Sequence, residues 1–257
     1  MSPLAVYSLW RRELVRFLRQ PSRLVSALGT PLILWLLVGT GLTASFRLPD
    51  GPAGMSFLEY FFPGTLVLLV LFASIFANIS VIEDRHEGFL QSVLVAPVGT
   101  TGMVLGKVLG AATLAWIQGA LFLALAPLAG LELGARSVLA ALGVLALLSV
   151  ALTGLGFAMA WQVDSTQGFH GVMNLLLMPM WMLSGAFFPL TGAPVWLVTV
   201  MRANPLTYGL ALLRRMLYPA GTSFGAGLPS LGVSLAVVVA ATILATILAV
   251  VAAGRRR

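Results

Sequence analysis

Cysteine is absent from the 257 residues, which excludes a disulfide framework and a thiolate metal site. Histidine occurs twice, at His86 and His170, and neither has a Cys or His neighbour at metal-ligand spacing. A multi-histidine metal centre is therefore not expected. Charge is scarce too: 9% of the residues are Asp, Glu, Lys or Arg, against roughly 25% in soluble domains. Lysine is nearly missing, with Lys107 alone beside fourteen arginines. What fills the chain is apolar, at 59% hydrophobic residues. A soluble fold would have to carry that excess on its surface, so the composition points to an integral membrane protein. A pI near 11 would suit nucleic acid. However, the arginines gather at the chain ends and at the edges of apolar runs, where membrane topology explains them and no nucleic-acid partner is needed.

A hydrocarbon core of ~30 Å needs ~20 apolar residues in a helix. Six such segments lie near 24–42, 60–82, 103–127, 136–161, 170–188 and 230–253. Period-2 alternation is missing, so a β-barrel is a poor fit. The expectation is an all-α polytopic membrane protein, a single transmembrane domain over 1–257. Arg11, Arg12, Arg16, Arg19 and Arg23 near one end, and Arg255 to Arg257 at the other, put both termini in the cytoplasm by the positive-inside bias. No cleavable-signal pattern stands at the N-terminus. With six spans the 81–97 segment and the turn at Asp164 face inward, while 47–55 and 189–229 face outward.

Residues 4–20, LAVYSLWRRELVRFLRQ, form an amphipathic pattern at 100° per residue. Trp10 and Phe17 lie on its apolar face, and Arg12, Glu13, Arg16 and Arg19 on its polar one. Such a helix belongs in the membrane interface, with its arginines against anionic headgroups, and Pro21 ends it.

The stretch VIEDRHEGFLQSVLVAP, 81–97, crowds together three of the eight acidic residues. A wheel over 83–96 separates Glu83, Asp84, Arg85, Glu87, Gly88, Gln91 and Ser92 from His86, Phe89, Leu90, Val93 and Leu94. This reads as a surface helix of about four turns, ended by Pro97. Glu83 and Glu87 are one turn apart, as paired carboxylates are, but nothing nucleophilic converges on them and His86 falls on the other side. No catalytic residue and no metal ligand are expected, and docking of another protein accounts for the segment better.

The run Glu83, Asp84, Arg85, His86, Glu87, Gly88, Phe89, Leu90, with Pro97 after it and Gly106-Lys107 downstream, resembles the segment between spans two and three of type 2 ABC-exporter permeases. Phe89 stands where threonine is usual there, and Gln91 where glutamate is. Before the last span, NPLTYGLALLRR resembles the same family through Asn204, Pro205, Leu206, Tyr208 and Arg214. The resemblance implies that 83–97 is a cytoplasmic coupling helix that docks into a separate ATPase subunit. It also implies that 189–215 forms short re-entrant helices at the outer leaflet. Pro194 and Pro205 already interrupt that stretch too much for it to span. Implied partners are two ATPase copies, which would hold the ATP and magnesium, a second permease copy and membrane lipids. The implied location is a bacterial cytoplasmic membrane.

This chain carries no phosphate-cradling loop of its own. In TGMVLGKV, 101–108, Thr101 replaces the first Gly and Val108 the Ser/Thr. Lys107, opening a span, is expected to snorkel to the headgroups. Ionisable residues deep in the spans are nearly lacking, which disfavours an ion path. Trp116, Asn174, Met178 and Trp181 are candidates for a substrate path suited to an amphiphile such as a lipid, lipid-linked glycan or drug. An ion-coupled carrier and an intramembrane lipid-modifying enzyme remain as alternatives.

Overall fold

The computed structural model describes residues 3–19, 21–43, 54–90, 99–190, 192–218 and 228–255, and of 21–27 the backbone alone. Every regular element among them is helical. The first four are α1 (Pro3–Leu18), α2 (Pro21–Thr43), α3 (Phe57–Phe76) and α4 (Ile79–His86). Next come α5 (Thr100–Leu123), α6 (Ala135–Ala160) and α7 (Thr166–Trp181). The last three are α8 (Val195–Ala203), α9 (Pro205–Leu217) and α10 (Leu231–Arg255).

Sequence chemistry sets the boundaries. Ser56 Oγ accepts from Glu59 N and caps α3, and Ser165 does the same for α7 through Gly168 N. Pro194 precedes α8, and Pro205 occupies the first turn of α9, where a missing N–H costs nothing. The 195–217 stretch is thus two short helices, as its prolines predict. α7 does not stop cleanly: it runs into a π-turn over Met182–Ala186, where Gly185 adopts φ 89°.

Among the described residues, four stretches are long and apolar enough to cross a membrane: Phe57–His86, Thr100–Leu123, Ala135–Ala160 and Leu231–Arg255. Helices also cover the other two expected segments, with the described apolar part of α2 at Leu28–Thr43 and the 16 residues of α7 both shorter. α3 is the central pillar. Its residues from Tyr60 to Leu71 are buried without interruption, against α2, α5, α6, α7 and α9. α10 lies outermost along α6, where Ala245 backs onto Gly154 and most of its other apolar side chains stay exposed.

Between α3 and α4 the hydrogen-bond ladder breaks. Asn78 N bonds to Ile75 O, and the Asn78 side-chain amide replaces it on Ser74 O at 2.8 Å while also reaching Thr153 O on α6. The 83–97 segment also differs from a single helix. α4 carries 83–86 as the continuation of the spanning stretch, and Glu87 ends it. Gly88 has φ 74°, a left-handed value that L side chains resist, and a new helical stretch starts at Phe89–Leu90. Positions 91–98, with Gln91 and Pro97, lie outside the described residues.

Candidate functional site

The C-terminal half of α1, α4 and the N-terminal part of α5 meet in a knot of three cations and three carboxylates. Arg12 donates to both oxygens of Asp84, at 2.7 and 2.8 Å. Arg16 bridges Asp84 at 3.1 Å and Glu83 at 2.5 Å. Lys107 completes it, on Asp84 at 2.5 Å and on Glu13 at 2.9 Å, and Ser80 donates to Glu13 at 3.1 Å. Asp84 is fully buried and Lys107 only 2% exposed. Charges this deep persist only when paired and hydrogen-bonded, and here each one is. Hydrogen bonding to Asp84 raises the pKa of Arg12 above its ordinary value. The Phe89 ring lies 3.8 Å from the same guanidinium, so the first residue past Gly88 is clasped as well.

Close packing of glycines makes the knot possible. Gly106 and Gly110 sit one turn apart on α5, and a Cβ on either would come within 2.8 Å of Leu9 or Glu13 of α1. The spacing is the small-xxx-small pattern that lets helices approach closely.

Three expectations are corrected by this geometry. Lys107 does not snorkel to headgroups: its ammonium turns inward, where two carboxylates outcompete the interface. Arg12 and Arg16 do not face lipid, since both point at α4, and Glu13 is buried between them and Lys107. Nor do the acidic residues of 83–87 form one exposed face. Asp84 is internal, Glu83 half-buried, and Glu87 exposed.

The other flank of α4 is tied down too. Arg85 donates to Trp161 O at 2.7 Å, to Val163 O and to Asp164 Oδ1 at 3.1 Å. His86 Nε2 lies 2.7 Å from Asp164 O. The end of the spanning stretch is thereby fixed to α1 and α5 on one side and to the α6–α7 turn on the other.

A second polar cluster forms around the π-turn at the opposite end of α3. Arg214, 1% exposed, donates to Gly185 O at 2.9 Å and stacks over Tyr60 at 4.5 Å, and Tyr60 donates to the same carbonyl at 3.2 Å. Trp181 Nε1 donates to Gly64 O at 2.7 Å. Asn204 caps α9 through Leu206 N and donates to Met180 O, while Tyr208 donates to Arg202 O at 2.8 Å. The motif residues Asn204, Pro205, Tyr208 and Arg214 therefore build one joint, and Gly185 supplies the carbonyl that a kink leaves free.

The four path candidates are not brought together. Trp116 donates to Leu142 O on α6, and Trp181 is buried. Asn174 and Met178 share an exposed face of α7 with Gln167 and His170. Trp10 donates to Thr113 Oγ1 at 3.1 Å, and Arg19 is exposed.

Sequence reading missed Glu13, Ser80 and Lys107 as partners. Their signals were present: one acid in a basic helix, one lysine inside an apolar one, and glycines at 106 and 110.

A family profile described as ABC-2 type transporter matches residues 5–218. The chain is 27% identical over 227 residues to the transport permease ycf38 of Cyanophora paradoxa, spanning 87% of this chain and 77% of that one. It is 28% identical over 210 residues to nodulation protein J of Rhizobium leguminosarum bv. trifolii, spanning 80% and 79%. It is 23% identical over 227 residues to the daunorubicin resistance ABC transporter permease protein DrrB1 of Streptomyces coeruleorubidus, spanning 86% and 77%.

Proposed function

The chain belongs to the ABC-2 type transporter family, and from that premise we propose that it is the permease subunit of an ATP-driven exporter of amphiphiles. A separate ATPase, present in two copies, binds ATP and magnesium, because this chain has no phosphate loop of its own. Two permease copies, each with six spans and both termini in the cytoplasm of a bacterium, enclose the path.

The observation that carries this reading is the double anchoring of α4. A push delivered to a floppy loop would dissipate, whereas α4 is fixed through Asp84 to α1 and α5 and through Arg85 to the α6–α7 turn. Displacement of the segment after Glu87 therefore moves three spanning helices as one body. This is what alternating access driven by a partner's closure requires. The division of labour is specific. Glu83, Asp84, Arg85 and His86 transmit, Phe89 under Arg12 and the buried Leu90 hold the turn to the body, and the exposed Glu87 with the 91–97 stretch docks. In the outer leaflet the Asn204–Arg214 joint, built of re-entrant helices, fixes the far end of α3.

The path runs along the exposed face of α7. Gln167, His170 and Asn174 grade into Met178 and Met182, a sequence from polar to soft apolar with no acidic residue, Lys or Arg in it. That gradient fits a lipid, lipid-linked glycan or hydrophobic drug, since methionines adapt to varied shapes.

The test is co-purification of the neighbouring ATPase and transport-coupled hydrolysis. Glu87→Arg, alone and with Gly88→Pro, is expected to abolish association while the permease itself still folds in the membrane. Intact association and transport in the double variant would sink the docking role.

A further inference from the structure

We infer that α1 and the adjoining faces of α5 and α6 form a binding site for an anionic phospholipid. The inward turn of Arg12 and Arg16 leaves a different stripe of α1 facing out. It comprises Leu4, 76% exposed, Tyr7, 56%, the exposed Arg11, Val15 and Leu18, 70%. At 3.6 residues per turn these five fall within an arc of roughly 80°, and they extend over about 21 Å. The usual amphipathic helix points its charge at solvent. This one buries its charge in the protein and offers an apolar stripe with one cation at its centre. Arg11 meets no carboxylate among the described residues.

The stripe continues onto spanning helices. Tyr7 stacks on Trp10 with centroids 5.6 Å apart, and Trp10 donates to Thr113 on α5. Thr113 is also a wall of a shallow groove of about 150 Å³, completed by Leu109, Ala112 and Trp116 of α5 and by Ala146 and Val150 of α6. Five of those six side chains are apolar or aromatic, and the Trp116 N–H is already spent on Leu142 O. Both helices are long and apolar enough to span, so the groove lies where acyl chains run. The long Arg11 side chain can reach a phosphate while its stem stays in apolar surroundings, and Tyr7 and Trp10 are residues that suit the membrane interface. Arg11 follows Tyr7 by one turn of α1, Tyr7 stacks on Trp10, and Trp10 is bonded to the groove wall at Thr113, a succession of cation, aromatics and apolar groove that matches one phospholipid.

The experiment is native mass spectrometry of the full chain with phosphatidylglycerol or phosphatidylcholine of identical acyl chains. Phosphatidylglycerol is expected to be retained preferentially. Arg11→Gln should lower its occupancy roughly fivefold, the worth of one interfacial cation, and leave phosphatidylcholine unchanged, while Arg11→Lys keeps the preference. Ala146→Phe, which fills the groove, should lower occupancy by both lipids. Millimolar inorganic phosphate should displace neither. Equal retention of the two lipids, indifference to Arg11→Gln, displacement by phosphate, or a second protein chain occupying the surface would each overturn the site. Transport is not read in this experiment, so its failure leaves the exporter reading standing.

Discussion

Asp84 is the residue on which the joint of α1, α4 and α5 turns. It accepts from Arg12 and Arg16 and pairs with Lys107, so three helices share one carboxylate. A buried ion pair adds little over an apolar substitute, but removing one partner strands the other. Lys107→Met therefore leaves Glu13 and Asp84 under-compensated, and the expected cost is about 3–5 kcal/mol. Adding Glu13→Gln removes one of the stranded charges, so the double variant should lose less than the sum of the singles. Thermal unfolding followed by tryptophan fluorescence in a nanodisc reads both. Strict additivity would mean that the pair, 2.9 Å apart, carries no coupling.

Among the elements, α1 depends most on its neighbour. Gly106 and Gly110 admit it, and the admission is steric: a methyl at 106 would sit 2.8 Å from Leu9 Cβ. Overpacking of this kind costs about 1–3 kcal/mol. Gly106→Ala should accordingly lower the melting temperature and expose α1 to protease. The control is Gly143→Ala on α6, where nothing lies within 4 Å of the added carbon. That change should be neutral or stabilising, as alanine is the better helix former. Equal effects of the two would remove close packing as the reason for the glycines. The sequence shows why α1 is a helix and why 204–215 is one, because hydrophobic period and caps are local. It does not show which face of α1 turns inward. A wheel ranks polar against apolar and assigns the polar side to water, which fails when six charges cancel one another across three helices. The break at Gly88 was missed for a related reason: amphipathic period continues through 83–96, and only backbone geometry shows the left-handed residue inside it.

At the scale of the whole molecule, the all-helical apolar composition and four of the six expected spans were legible, because each long spanning segment is a local property of about 20 residues. Which helix faces line a path is not local, and the four candidates split accordingly. Trp116 and Trp181 have their ring nitrogens spent on Leu142 O and Gly64 O, whereas Asn174 and Met178 remain on an exposed face of α7. An amide is expensive against hydrocarbon, so that face requires a second chain or a water-filled path beside it. The missing cysteines provide a direct test, since any introduced thiol is the chain's only one. Asn174→Cys and Met178→Cys, in the assembled complex, should react with a membrane-impermeant thiol reagent. Met173→Cys and Leu177→Cys, on the buried side of the same helix, should not. Substrate should protect the first pair, and ATP should alter their rate if the path opens alternately. Labelling of all four alike would mean that α7 is loosely packed rather than one-sided. Silence at 174 and 178 in every nucleotide state would place the path elsewhere and leave a partner helix as the cover of this face.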